Sequence, residues 1–140
     1  MADLSEIEMR ILSEMEEGYQ DFPMLIYKTT ERSGNLEEVA AVQDAVRTLI
    51  RRGLVVLEMS SLATGGRSVS QDEAERVINE IVTHLTFLPD TKVWADRRSA
   101  VGPPYFQIPV PEMELTEAGE KEAERILEER GMWWWHAKRA

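Results

Sequence analysis

Ala45-Val-Arg-Thr-Leu-Ile-Arg-Arg-Gly-Leu-Val-Val-Leu57 is the stretch on which the fold turns. Read backwards to Asn35, it is the end of an amphipathic helix. Asn35 is a helix-capping residue type, Glu38 stands three positions on, and Val39, Val42, Val46, Leu49 and Ile50 share one face at helical spacing. Arg51 and Arg52 suit the negative end of the helix dipole, and Gly53 supplies the stop. Leu54 to Met59 is then a short apolar run rich in β-branched residues, which reads as a strand.

Upstream, Ser5 and Glu8 have capping-box spacing and open a first helix. Its stripe is Leu4, Ile7, Ile11 and Met15, widened by Leu12 and Tyr19, and Gly18 stops it. Phe22 to Arg32 reads as a second helix with Pro23 in its first turn and Gly34 past its end. Downstream, Ser61 to Ser68 contains Gly65-Gly66 and reads as a turn or mobile loop. Ser70 and Glu73 cap a helix expected to run to about Leu88, on the apolar set Ala74, Val77, Ile78, Ile81, Leu85 and Leu88, with Pro89-Asp90 stopping it. Residues 91 to 103 read as irregular. Tyr105 to Leu115 alternates as an extended segment, and Pro109 and Pro111 suit an edge strand. Thr116 caps a last helix that ends at Gly131, followed by Met132-Trp-Trp-Trp-His-Ala-Lys-Arg-Ala. There is no internal repeat and no low-complexity tract.

Two of these junctions resemble a known family. Ala45 to Val55 resembles the end of a recognition helix entering the first wing strand of a winged helix-turn-helix. Met113-Glu-Leu-Thr-Glu-Ala-Gly-Glu-Lys-Glu-Ala123 resembles the second wing strand passing into the next helix, where Leu-Thr-x-x-Gly is frequent. Both occur in bacterial winged-helix regulators of the multiple-antibiotic-resistance and phenolic-acid repressor groups, and the likeness covers residues 5 to 60 and 104 to 130. It implies an α+β, mainly helical domain over residues 1 to 131 with a two-stranded wing ribbon. The departure is an insertion of about 61 to 103 holding an extra amphipathic helix, with residues 132 to 140 as a tryptophan-rich tail. The implied function is a dimeric DNA-binding transcriptional regulator; the alternative is a protein-interaction module with no DNA role.

Composition narrows the field. The 140 residues carry 16 Lys and Arg against 26 Asp and Glu, a net charge of −10 with a sequence pI near 4.7. Such a field repels phosphate, which argues against indiscriminate coating of nucleic acid or anionic membrane. Cysteine is absent, which removes disulfide scaffolds, thiol catalysis and cysteine-based zinc sites. The acidic start lacks the apolar core of a secretory signal, and no apolar run approaches a membrane span. The expectation is a cytoplasmic protein without membrane contact.

A DNA-binding role would fall to Lys28, Thr30 and Arg32 on or after the second helix, to Asp44, Arg47, Thr48 and Arg51 on the third, and to Arg67, Arg97 and Arg98 in the insertion. The exposed face of the third helix, with Glu37, Ala40, Asp44, Arg47, Thr48 and Arg51, carries its acids at the end expected nearest the bases. Trp133, Trp134 and Trp135 are candidates for a homodimer or partner contact, against the plainer reading that they fold back as a lid. Glu80 and His84 are four apart and read as a helix-surface pair rather than metal ligands. Thr64-Gly-Gly-Arg67 is too short for a phosphate loop, and Ser68 and Ser70 have no activating histidine near them in sequence. No catalytic residue, metal site or cofactor is expected.

Overall fold

The computed structural model describes residues 3–61, 65–97 and 110–136, with the side chains of 60, 61, 65–67 and 110 not described. The elements follow in the order α1 (Glu6–Met15), β1 (Gln20–Asp21), α2 (Phe22–Thr29), α3 (Leu36–Arg51), β2 (Val55–Ser61), β3 (Gly65–Ser68), α4 (Gln71–Ile81), β4 (Leu85–Leu88), β5 (Val93–Asp96), β6 (Val110–Leu115) and α5 (Glu117–Arg130), with a 3-10 turn at Val82–His84. This is an α+β fold in which helices predominate. Antiparallel strands form one sheet in the order β1-β6-β2-β3 and a separate β4-β5 hairpin.

The helices start where local chemistry says they should. Ser5 Oγ accepts from Glu8 N while Glu8 Oε1 accepts from Ser5 N, closing the reciprocal capping box. Asp21 Oδ1 accepts from Met24 N, Asn35 Oδ1 from Glu37 N, Ser70 Oγ from Glu73 N and Thr116 Oγ1 from Gly119 N. Along α3, Val39, Val42, Val46, Leu49 and Ile50 are buried, and they meet Ile11 and Leu12 of α1 and Leu25 and Ile26 of α2 in one core. Tyr19 does not widen the α1 stripe. It lies past Gly18, whose φ is +134°, and is 58% exposed.

β2 pairs with β6 from Val55↔Leu115 to Ser60↔Val110, so the two distant segments form one antiparallel ribbon. The junctions at either end of that ribbon are in contact. Thr116 N donates to Leu54 O at 3.0 Å, and Thr116 Oγ1 donates to Gly53 O at 2.6 Å. A Cβ on Gly119 would sit 2.0 Å from Leu54 O. Gly119 is therefore the position that lets the first turn of α5 ride against the turn leaving α3.

β6 is not an edge strand, because β1 pairs with it at Gln20↔Met113 and Asp21↔Glu112. β1 stops one residue short of Pro111, so the missing N–H there meets no third strand. Pro109 lies outside the described residues.

The insertion departs further from expectation. β2 runs to Ser61 and β3 returns from Gly65 to Ser68, so much of the expected loop is a hairpin with Met59↔Arg67 in register. The helix expected to reach Leu88 ends at Ile81, and residues 85–88 and 93–96, the latter expected irregular, pair as a hairpin. Leu85 and Leu88 continue the helical spacing of α4, but a long-range partner decides otherwise. Phe87 faces Trp94 across the hairpin with ring centroids 5.3 Å apart, and Trp94 is buried. Arg97 satisfies the chain at the end of α4, its backbone N–H donating to His84 O at 2.7 Å and its guanidinium to Thr83 O and His84 O. Phe87 also fills the space above Gly34, where a Cβ would meet its ring at 2.7 Å.

Candidate functional site

Helix α3 is the element whose surface decides between the functional readings, and α4 packs along it. Ala74, Ile78 and Ile81 bury α4 into the common core. Each isoleucine contributes about 1.5–3 kcal/mol by leaving water. Polar side chains close the seam on both sides. Gln43 Nε2 donates to Ile78 O at 3.1 Å and Gln71 Nε2 to Ile50 O at 3.1 Å. Arg47 donates to Asp44 Oδ1 at 2.8 Å and to Asn79 Oδ1, while Arg51 Nε donates to Glu75 Oε1 at 2.7 Å.

Thus the two arginines that could face phosphate are spent on groups of the same chain. Thr48 is half-buried between them, and the exposed positions of α3 are Leu36, Glu37, Ala40, Ala41, Asp44 and the paired Arg51. Its amino-terminal end carries Glu37 and Glu38, of which Glu38 accepts from Ser33 N at 3.0 Å and from Ser33 Oγ at 2.6 Å.

Of the other expected residues, those whose side chains are described are each engaged within the chain. Lys28 Nζ is 3.1 Å from Glu14 Oε1, a carboxylate buried on α1. Arg32 stacks 3.8 Å from the Tyr27 ring centre and donates from Nε to Tyr27 O at 2.8 Å. Thr30 is buried and donates to Ile26 O at 2.7 Å. Arg97 is held by the end of α4, as above. Arg67 is placed on β3 by its backbone alone, and Arg98 lies outside the described residues.

The tryptophan tail folds back on α1. Trp135 is 2% exposed, and Trp134, half-buried, donates from Nε1 to Ser13 Oγ at 3.1 Å. Arg130 stands 4.5 Å over the Trp134 ring, and His136 Nε2 lies 3.9 Å from Glu14 Oε2. Trp133 is left outside, 53% exposed, with Nε1 3.4 Å from Glu17 Oε1. Two of the indoles find burial within the chain, and of the three candidates for a homodimer or partner contact only Trp133 is left exposed.

Compared with family models, curated proteins and solved structures, the chain matches none of them. The site must be read from its own geometry. His84 Nε2 and Glu80 Oε1 stand 3.9 Å apart as an exposed pair. Among the described residues, no group of three or more histidines, cysteines or carboxylates is arranged to hold a metal ion. No helix among them is long and apolar enough to cross a membrane.

One carboxyl group is electrostatically uncomfortable. Burial raises the Asp21 pKa above its ordinary value of 3.8, the Met24 N–H opposes that shift, Asp96 adds to it and Lys28 opposes it. Asp21 caps α2 at the point where β1 ends and the β4-β5 hairpin approaches, so the strain sits in the scaffold and not on α3. Sequence reasoning missed the α3–α4 seam altogether. Its signal was the pairing of Arg47 and Arg51 with Asn79 and Glu75, which no local pattern links.

Proposed function

We propose that the chain is a winged-helix-type module that works by binding another protein, with no DNA-reading role for its third helix. The winged-helix part of this reading is supported by the order α1-β1-α2-α3-β2 followed by β6-α5, and by the sheet order β1-β6-β2. It is supported also by the contact between the two family-like junctions at Leu54 and Thr116.

One observation carries the choice of partner: α4 lies along α3 and spends Arg47 and Arg51 on Asn79 and Glu75. A recognition helix needs a free face in the major groove and net positive contacts to phosphate. Here Arg47 is largely covered and Arg51, though exposed, is paired with Glu75, while acids hold the amino-terminal end, on a molecule of net charge −10. Because α4 is anchored by Ile78 and Ile81, the cover belongs to the folded core.

The DNA-regulator reading rests on the element order and on the β2-β3 hairpin, which has Arg67 in its returning strand. Anisotropy titration of a labelled random duplex at low salt separates the two. The interaction-module reading expects no binding at high micromolar protein. A salt-sensitive affinity that falls on Arg47→Ala would overturn it.

A further inference from the structure

Large aromatic side chains exposed on an otherwise charged body mark contact surfaces. Tyr19 is 58% exposed and Trp133 53% exposed, and the Trp133 indole is tied to Glu17, two residues from Tyr19. Beside them a groove of about 270 Å³ runs between the end of α1, the end of β6 and the first half of α5. Met15 and Leu115 lie along it as buried apolar surface, and Tyr19 stands on its rim.

The charge of the groove says what fits it. Glu16, Glu114, Glu120 and Glu124 line it without any cation, and none of the four has an ion-pair or hydrogen-bond partner for its carboxylate among the described residues. Two other grooves among the described residues differ: one contains Arg10, the other Arg52 and Lys121. Unpaired carboxylates around apolar surface repel nucleic acid, anionic lipid and the same face of a second copy. They are complementary to side chains with an apolar stem and a cationic head, which lay methylenes on apolar or aromatic surface and present charge to the rim.

We infer that this groove, with Tyr19 and Trp133 beside it, docks a segment of a partner protein in which arginine or lysine alternates with apolar residues. The inference rests on the interaction-module reading above and names the chemistry of its partner. Arginine heads meet Glu120 and Glu124 on α5 and Glu16 on α1, and apolar residues of the segment cover the exposed Tyr19 ring.

Fluorescence anisotropy at low salt tests it, using the full chain and a labelled short peptide that alternates arginine and leucine. The variant Glu120→Gln/Glu124→Gln should weaken binding about tenfold, since each rim pair supplies a modest share. Tyr19→Ser should weaken it as well. Glu37→Gln/Glu128→Gln, the same change of net charge on exposed sites outside the groove, should change affinity less than about twofold. Equal weakening by the two double variants would show attraction by net charge and overturn the groove, as would absence of peptide binding. Unlabelled spermine displacing the peptide as well as unlabelled peptide does would overturn a protein segment as occupant. A random duplex in the same buffer keeps the two ideas apart. If the duplex and the peptide both fail to bind, the groove is wrong while the module reading stands; duplex binding would overturn the module reading itself.

Discussion

Replacing Gly119 by alanine sets two effects of opposite sign against each other. Gly119 lies in the first turn of α5, and on helix propensity alone alanine should stabilise by about 0.8–1 kcal/mol. The structure says otherwise. The new Cβ would stand 2.0 Å from Leu54 O, 3.0 Å from Leu54 C and 3.2 Å from Leu115 Cδ2. The first two are backbone atoms of the turn that leaves α3, so no flexible side chain can give way. Relief needs α5 to move off that turn by about an ångström, which stretches the bonds from Thr116 N to Leu54 O and from Thr116 Oγ1 to Gly53 O. Each is worth about 0.5–1.5 kcal/mol, and overpacking adds about 1–3 kcal/mol. After the propensity gain is subtracted, the net loss is about 1–5 kcal/mol. Urea denaturation followed by far-UV circular dichroism measures it as a lower midpoint at unchanged slope. A neutral or stabilising Gly119→Ala would refute the close approach and with it the lock between the two junctions.

Further outcomes follow from the tail and from Asp21. Trp135→Ala should cost about 3–5 kcal/mol in the same denaturation assay, because a fully buried indole is lost, whereas Trp133→Ala should change stability by less than about 0.5 kcal/mol. Equal effects would show that the tail does not seat on α1 as described. Asp21→Asn keeps the cap on α2 while removing a carboxylate whose pKa is raised by burial. The raised pKa means that the folded state holds the proton more tightly, so the contribution of Asp21 to stability falls as pH rises from 3.8 through the folded value and stays reduced above it. Relative to wild type, the asparagine variant should therefore gain stability at neutral pH and lose that gain below pH 3.8, as read by denaturation midpoints across pH.

How much was legible in the sequence depended on how local the deciding interaction is. The caps at Ser5, Asn35, Ser70 and Thr116 bond within three residues, so spacing alone located the starts of α1, α3, α4 and α5. The β2–β6 pairing spans a long insertion, yet the Gly53-Leu54 and Leu115-Thr116 junctions carried its signature in side-chain type. The β4-β5 hairpin was hidden because Leu85 and Leu88 fall on the helical period of α4, and only Trp94 across the hairpin settles their conformation. Proline at 111 suggested an edge because the sequence cannot say that β1 is only two residues long.

The candidate site was less legible still. Arg47 and Arg51 look like groove readers until Asn79 and Glu75 are placed beside them, and those partners are 32 and 24 residues away. The groove beside Tyr19 draws on α1, β6 and α5, so no local pattern in the sequence brings its four carboxylates together.

The central claim is that α4 covers α3 as part of the core and not as a lid. Native-state amide hydrogen exchange resolves this residue by residue. The account predicts that amides around Ile78 and Ile81 exchange only with the same large opening free energy as those of Val46 and Leu49 on α3. Exchange of α4 through a smaller, separate opening that leaves α3 protected would contradict it, and would return α3 to candidacy as a DNA-reading helix under a removable cover.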